Sequence, residues 1–300
     1  MKKKPSKKHH YLPSYYLKGF TNDEGTFYVY DKLSDKIHLT NPDDSFFENN
    51  LNTVTFNDGG SSDFLEDLYT TIENQSWPSL DGIRNSHLIP INQLDRINLY
   101  YFLLFLHWRL PSNIGFIDDL SKKISLGGNE LDYFEIKSDT GDSVSTESLE
   151  NLKNSAAFRK SAKMLVPFAP FFKNKDWSRD LDYWRFIYTR DKKAWYMVGD
   201  NPIITRGLND HDPINCLKEF VFPVSGNLLL VSADAYDGNM LPPKFGVQFN
   251  IAIIERARRF VACQRKDFLE AMVGAYKLYV QYRKTDKIIS DFFDALKTGK

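Results

Sequence analysis

The strongest hydrophobic pattern in the chain runs from Asn92 to Leu110. Apolar residues fill this stretch so completely that almost no polar face is left. A helix that is apolar all round is typical of a protein core. Pro111 comes next, and helices usually end at or before the residue that precedes a proline. The pattern therefore predicts a buried helix over residues 92–110.

A second helix is predicted over residues 63–74, after the polar loop of residues 57–62. Asp63 and Glu66 have the spacing of a capping box, and one apolar stripe follows them. The stripe comprises Phe64, Leu65, Leu68, Tyr69 and Ile72. Further helical patterns cover residues 149–164, 247–259, 267–283 and 288–296.

β-rich segments lie in two parts of the chain. Residues 26–30 and 36–39 can pair as an N-terminal hairpin, and strand patterns recur at residues 194–198, 203–205, 219–224 and 227–232. Ser225-Gly226 predicts a tight turn between the last two. Because strands do not alternate regularly with helices, we predict an α+β fold with a mainly helical core, an N-terminal hairpin and a C-terminal antiparallel sheet.

The remaining segments indicate the domain organisation. Residues 1–8 contain five lysines and are predicted to form a solvated basic tail. Residues 9–300 are predicted to form a single α+β domain. Within it, residues 125–148 are rich in Gly, Ser, Asp and Glu, which indicates a loop insertion.

Composition and charge narrow the class of protein. Aromatic residues make up 15% of the chain, and their large buried areas argue against disorder. Lys and Arg together number 39, as do Asp and Glu, so any contact with nucleic acid must come from a local basic patch. The two cysteines match no metal-binding spacing, and no secretory signal or long apolar run is present. We therefore expect a cytoplasmic protein that does not enter a membrane.

Two carboxylates on the second helix are candidates for chemistry. Glu66 and Glu73 are two helical turns apart and project from the same side, at the border of the apolar stripe. Such a pair can share a metal ion or divide the roles of acid and base. The alternative is a solvated flank on which Glu66 serves only the helix cap.

Two further charged residues occupy unusual positions. Arg109 is the second-last residue of the predicted apolar helix, and its guanidinium must find partners there. It could bind a phosphate or a carboxylate, or it could interact only with the helix dipole. Asp200 follows a predicted strand in the sequence Gly199-Asp200-Asn201-Pro202, which is a frequent active-site position and also an ordinary turn.

The N-terminal segment supplies the remaining candidates. His10 precedes a cluster of aromatic residues, and histidine is the natural acid or base near neutral pH, although it can also be an exposed residue without a role. Lys18 and the lysine tail could add a basic patch. No motif for nucleoside triphosphates, no nucleophile elbow and no zinc motif occurs in the chain.

Taken together, these segments resemble the bacterial domain-of-unknown-function family numbered 4238. The resemblance extends from His10 to about Cys263 and rests on residues 10–20 and 27–31, 64–73, 109–111, 199–202 and 222–225, and Asn250. The chain differs from the family at Ser14, where Gln is usual. The resemblance implies that His10, Glu66, Glu73, Arg109 and Asp200 belong to one signature, and it implies an association of some members with defence against phage.

One shared site is a more economical explanation of that signature than five separate structural roles. The first hypothesis is a defence-type nuclease that hydrolyses phosphodiester bonds of RNA or DNA. Its catalytic residues are predicted to be His10, Glu66, Glu73, Arg109 and Asp200. Its ligands for Mg²⁺ or Mn²⁺ are predicted to be Glu66, Glu73 and Asp200, and its substrate-binding residues Lys18 and Asn201.

Two alternatives to a nuclease remain open from the sequence. The first is an effector enzyme that consumes NAD or another nucleotide, because aromatic side chains could stack on a base while Arg holds a pyrophosphate. The second is a protein without enzymatic activity. In that case the signature residues form a buried polar network, and the protein binds a phage or host protein that acts as its trigger.

Overall fold

The computed structural model describes residues 8–56, 59–85, 91–123, 145–173, 176–189, 196–206, 211–233, 241 and 244–297. Within these ranges the chain has an α+β fold, as predicted, with many helices and antiparallel sheets. None of the described helices is both long enough and apolar enough to cross a membrane.

The described strands are short and lie in two groups along the chain. The first group is β1 (Lys8–His10), β2 (Phe27–Asp31), β3 (Lys36–Thr40), β4 (Phe47–Asn49), β5 (Val54–Thr55) and β6 (Ser61–Ser62). The second group is β7 (Trp184–Tyr188), β8 (Val198–Gly199), β9 (Ile204–Thr205), β10 (Phe220–Ser225), β11 (Leu228–Ser232) and β12 (Phe260–Cys263).

Most of the helices lie between these two groups or after them. They are α1 (Ser14–Leu17), α2 (Phe64–Asn85), α3 (Gln93–Arg109), α4 (Ile114–Lys122), α5 (Thr146–Asn154), α6 (Ala156–Ser161), α7 (Ala169–Lys173), α8 (Trp177–Asp180), α9 (Phe245–Arg256), α10 (Lys266–Gln281) and α11 (Ile288–Lys297). Single turns of 3-10 helix connect several of them.

The predicted N-terminal hairpin is confirmed, but it does not stand alone. β2 pairs with β3, from Phe27 opposite Thr40 to Asp31 opposite Lys36. The other edge of β2 pairs with β12, and the four-stranded sheet has the order β3-β2-β12-β8. The sequence did not indicate β12, because its four residues directly follow a predicted helix. This sheet therefore joins the first part of the chain to its C-terminal part.

The predicted C-terminal antiparallel sheet is also confirmed, in the order β7-β11-β10-β9. A tight turn at Gly226 and Asn227 joins β10 to β11. Both strands are buried along their whole length, and alternate side chains enter two different hydrophobic clusters. Phe220 and Phe222 face the cluster that contains α3, whereas Val221 faces the cluster that contains α9 and α11. The sheet thus separates two cores, since successive strand residues point to opposite faces.

Several predicted boundaries were wrong. α2 continues past residue 74 and includes Pro78, because its second half buries Leu80 and Ile83 and this burial offsets the cost of the proline. The helix predicted over residues 149–164 is broken at Ser155, whose side chain caps α6. Lys8 belongs to β1 and not to the tail.

Other predictions fall partly outside the described residues. Residues 1–7 of the tail and residues 124–144 of the loop insertion are not described. Of the strand predicted over residues 194–198, only Val198 is in a described strand.

Arg84 fastens the N-terminal segment to the C-terminal sheet. It reaches from the last turn of α2 and donates hydrogen bonds to the carbonyl oxygens of Tyr15, Tyr16 and Val224, at 2.6–3.0 Å. Gly19 lies against this guanidinium, and a Cβ at position 19 would come within 2.5 Å of Nη2. A side chain at position 19 would therefore displace the guanidinium from its carbonyl partners.

We expect Arg84→Met to destabilise the protein, because it leaves three backbone carbonyls without their donor. The expected loss is about 3 kcal/mol, which lowers Tm by roughly 6–12 °C in a thermal melt. Arg179→Met is the matched control, since the Arg179 side chain is 77% exposed and its ion pair with Asp176 lies at the surface. Equal melting temperatures for the two variants would contradict the role of Arg84.

Candidate functional site

The Arg109 guanidinium lies at the centre of a polar cluster in the interior. Arg109 is 3% exposed and forms the last residue of α3. Its Nε donates to the carbonyl oxygen of Tyr11 at 2.9 Å, and its Nη1 donates to Glu73 Oε1 at 2.5 Å. The guanidinium carbon also lies 5.1 Å from the centre of the Tyr69 ring. Arg109 thus ties α3, α2 and the N-terminal segment together at one point.

Three polar atoms of this cluster have no hydrogen-bond partner among the described residues. They are Arg109 Nη2 and the hydroxyl oxygens of Tyr15 and Tyr69, all shielded from solvent. A buried donor without an acceptor costs about 1–3 kcal/mol. Nη2 in particular is a charged donor, and such donors prefer anionic oxygen. The cluster is therefore suited to accept oxygen atoms of an anion.

Part of the cluster is open to solvent. The Glu73 side chain is 26% exposed, and Trp77, one turn further along α2, is 37% exposed. The Trp77 ring packs edge-on against Tyr15 with their centres 5.2 Å apart. An anion that approaches the Glu73–Arg109 pair would therefore meet an exposed aromatic ring beside it.

His10 is held at the edge of the same cluster by local turn structure. Asn41 caps the turn of Pro42–Asp44 by accepting hydrogen bonds from the N–H groups of Asp43 and Asp44. This fixes the Asp43 carbonyl oxygen 3.2 Å from His10 Nε2. The second ring nitrogen, Nδ1, makes no hydrogen bond to any described residue. A histidine oriented through one nitrogen with the other available is the arrangement that acid–base catalysis requires.

The electrostatic surroundings of His10 link it to Arg109 and Glu73. Burial lowers the pKa of His10 below 6.5, and the positive charge of Arg109 lowers it further. The Asp43 carbonyl and the carboxylates of Asp43 and Glu73 act in the opposite direction. Arg109 and Glu73 are therefore close enough to His10 to affect its pKa.

Glu66 belongs to a separate network. Its Oε1 accepts a hydrogen bond from the side-chain amide of Asn52, and His9 Nδ1 lies 3.6 Å away. His9 is fully buried, and its Nδ1 accepts the backbone N–H of Asn52 at 2.9 Å. These contacts hold the segment after β4 against α2. Glu66 thus serves a packing junction and does not contact Arg109.

Asp200 is also occupied by the backbone. Its carboxylate accepts hydrogen bonds from the N–H groups of Arg258, Arg259 and Phe260 at 2.7–2.9 Å. Burial raises the pKa of Asp200 even though these three donors act in the opposite direction. Asp200 therefore fixes the turn that leads into β12, and it also lines a cavity of about 220 Å³ together with Tyr11, Glu48 and Arg258.

The predicted metal site of Glu66, Glu73 and Asp200 is not assembled. Among the described residues, no three His, Cys, Asp or Glu side chains lie where they could hold one ion. Glu66 and Glu73 are seven residues apart, which places them about 10 Å apart along the helix axis. Each of the three carboxylates has different partners. Their spacing of two turns places the two glutamates on the same side of the helix, but they are too far apart along its axis to share an ion.

The two predicted substrate-binding residues lie away from Arg109. Lys18 is exposed just after α1, and Asn201 is buried next to Asp200. No hydrogen bond or ion pair joins either residue to His10, Glu73 or Arg109 in the part of the chain that the structure describes. Tyr15, Tyr69 and Trp77 are the members of the cluster that the sequence did not single out. Tyr69 and Trp77 could have been found from the sequence, because they lie four residues before and after Glu73 on one helix.

Comparison with known proteins identifies a family but no activity. A family model described as "Protein of unknown function (DUF4238)" matches residues 8–267, which is most of the chain. No curated protein and no solved structure matches the chain. The chemistry of the cluster must therefore be inferred from its geometry.

We expect Asp200→Asn to destabilise the protein, because an amide presents only one acceptor oxygen to three backbone N–H donors. The expected loss is about 2–4 kcal/mol, measured by denaturant unfolding at neutral pH. Asp119→Asn is the control, since the Asp119 side chain is 69% exposed. Unchanged stability together with a loss of activity would contradict a structural role and return Asp200 to the catalytic residues.

Proposed function

The chain belongs to the DUF4238 family of proteins of unknown function, and we propose that it is a nuclease that cleaves RNA by acid–base catalysis. In this proposal Glu73 is the general base, His10 is the general acid, and Arg109 stabilises the charge that develops on the phosphate. The observation that carries the proposal is the Arg109 guanidinium, which is buried and paired with Glu73, lies within electrostatic range of His10, and retains an Nη2 without a partner among the described residues.

The roles follow from what each side chain can donate or accept. Arg109 is fixed by Tyr11 and Glu73, so its remaining donor is already oriented for a phosphate oxygen. Glu73 is partly exposed and has a second carboxylate oxygen, Oε2, that can accept a proton. His10 is oriented by the Asp43 carbonyl and can present Nδ1–H to a leaving oxygen.

RNA is the substrate that these groups suit best, because its own 2′-hydroxyl supplies the nucleophile. Glu73 takes the proton of the 2′-hydroxyl as the 2′-oxygen attacks phosphorus. The bond from phosphorus to the 5′-oxygen breaks, and the 5′-oxygen takes a proton from His10. The products are a 2′,3′-cyclic phosphate and a 5′-hydroxyl, so protons and electron pairs balance. Arg109 and the Tyr69 hydroxyl face the negative charge on the phosphate oxygens.

The exposed ring of Trp77 suits the recognition of single-stranded RNA. A base beside the cleaved phosphate can stack on this ring, and base–aromatic stacking contributes about 1–3 kcal/mol per base without sequence preference. Since the net charge of the chain is zero, attraction of RNA depends on such local contacts. The association with phage defence that the resemblance implies suits an enzyme that cleaves RNA in an infected cell.

We expect the purified protein to cleave a short single-stranded RNA in the presence of EDTA. His10→Asn is expected to slow cleavage by about 10²–10⁴-fold, because general acid catalysis is lost. Glu73→Gln is expected to slow it similarly while its amide oxygen still accepts from Arg109. Cleavage is followed by gel electrophoresis, with detection of the 2′,3′-cyclic phosphate, and the melting temperature of each variant is recorded. His38→Asn is the control, since His38 is exposed on β3.

The matched DNA oligonucleotide tests the mechanism directly. It lacks the 2′-hydroxyl, so the proposal requires that it is not cleaved. Cleavage of DNA, or cleavage of RNA only with Mg²⁺ or Mn²⁺, would contradict the metal-free route. If neither nucleic acid is cleaved but NAD is consumed, the nucleotide-consuming alternative would take its place. If no substrate is consumed and Glu73→Gln melts far earlier than wild type, the cluster is structural.

The pH dependence of cleavage should report the lowered pKa of His10. A general acid must carry its proton, and burial favours the neutral imidazole, so the protonated fraction falls as pH rises through a pKa below 6.5. We therefore expect kcat/KM to decline by about tenfold per pH unit above that pKa. The measurement is the pH profile of kcat/KM, in which His10→Asn should lose this limb. A decline that begins only above 6.5 would exclude His10 as the acid.

A further inference from the structure

A second cavity lies on the side of α4 and α6, and it is strongly cationic. Its volume is about 390 Å³. Three cationic side chains and one carboxylate line it, namely Arg159, Lys160, Lys163 and Asp118. The carboxylate is already neutralised, because Asp118 forms ion pairs with Arg159 and Lys122. The side chains that line the cavity therefore carry more positive than negative charge. Glu48 and Glu66 attract Lys163, and Asp63 attracts Lys160, but none of these described carboxylates forms an ion pair with either lysine.

Lys163 is the unusual member of this cavity, which we call the Lys163 cavity. The residue is 2% exposed, and its Nζ has neither a hydrogen-bond partner nor an ion pair in the part of the chain that the structure describes. Burial lowers its pKa to about 8, and nearby Lys160 acts in the same direction. An ammonium in this position costs free energy unless an anion joins it. Its flexible four-carbon stem can turn the ammonium into the cavity.

The other two cations also retain free donors. Lys160 Nζ donates to the Asn50 carbonyl oxygen at 3.1 Å, which leaves two of its three N–H groups. Arg159 uses Nε for Asp118 and Nη1 for the carbonyl oxygens of Lys153 and Asn154, while its Nη2 bonds to none of the described residues. A phosphate monoester, with nearly two negative charges and three terminal acceptor oxygens, matches this supply of donors better than a carboxylate does.

Part of the cavity wall is apolar. Leu51, Ile114, Ile117 and Ala156 contribute to it, on the segment after β4, on α4 and on α6. Ligand sites commonly combine such a wall with a few convergent polar groups that fix orientation. The wall gives an organic substituent a place to bury, which free phosphate does not need.

We propose that the Lys163 cavity binds a small phosphate monoester, with Lys163 and Lys160 donating hydrogen bonds to its phosphate oxygens. The organic group of the ligand packs against Leu51, Ile114 and Ile117. This site is separate from the Arg109 cluster, and the proposal does not depend on RNA cleavage.

The test compares two probes, phenyl phosphate and inorganic phosphate, by isothermal titration calorimetry with the full chain. Phenyl phosphate is expected to bind more tightly than inorganic phosphate. Lys163→Met shortens the side chain by only one atom and removes its charge, so it is expected to weaken phenyl phosphate binding by about ten- to hundredfold. The same variant is expected to raise Tm without ligand, because it removes a buried unpaired cation. Lys266→Met is the matched control at an exposed position.

Each other outcome overturns a stated part of the proposal. If neither probe binds, or if Lys163→Met binds phenyl phosphate as tightly as wild type does, the proposal that the Lys163 cavity is a binding site is wrong. If inorganic phosphate binds at least as tightly as phenyl phosphate, the apolar part of the cavity does not bind an organic group of the ligand. A lower Tm for Lys163→Met would show that the lysine is structural. RNA cleavage by Lys163→Met at a rate far below that of wild type would contradict the separation of this site from the proposed nuclease site.

Discussion

The burial of Arg109 is the constraint on which the central arrangement depends. α3 is apolar on nearly every side, so a guanidinium at its last residue cannot remain in water and must be paired inside the protein. The available partners are the Tyr11 carbonyl and Glu73, and satisfying them fixes the N-terminal segment against both α2 and α3. The same clamp leaves Nη2 oriented but unpartnered. The structural role of Arg109 and its proposed chemical role therefore depend on one set of contacts.

Glu66, Glu73 and Asp200 illustrate how the surroundings of a carboxylate determine its role. Glu66 accepts from an amide and Asp200 accepts from three backbone N–H groups, so both are held by neutral donors that order a loop or a turn. Glu73 alone combines a buried cation with partial exposure to solvent. Only a carboxylate of this kind can both position a charged group and exchange a proton with a bound molecule. Of the three carboxylates, Glu73 is therefore the one whose surroundings suit the proposed chemistry.

Much of the fold could be predicted because its signals are local. The hairpin of β2 and β3, the apolar helix α3, the strands β10 and β11 and the helices α9 to α11 all follow from residue periodicity and turn residues. β12 was missed because four apolar residues after a helix carry no period of their own. Among the candidate site residues, Glu73 and Arg109 form an ion pair and His10 lies within electrostatic range of both, whereas Tyr15 and Tyr69 appeared to be ordinary core residues.

The sequence by itself determined which residues favour burial and which need partners if they are buried. It thus determined the α+β class, the buried helix and the need of Arg109 for partners, because hydrophobicity and charge are properties of single residues and short periods. Only the tertiary structure decided which partner each charge received. Asn52, Tyr11 and the backbone after α9 are distant in sequence from Glu66, Arg109 and Asp200. Such pairings arise from how helices and sheets pack, and no local pattern records them.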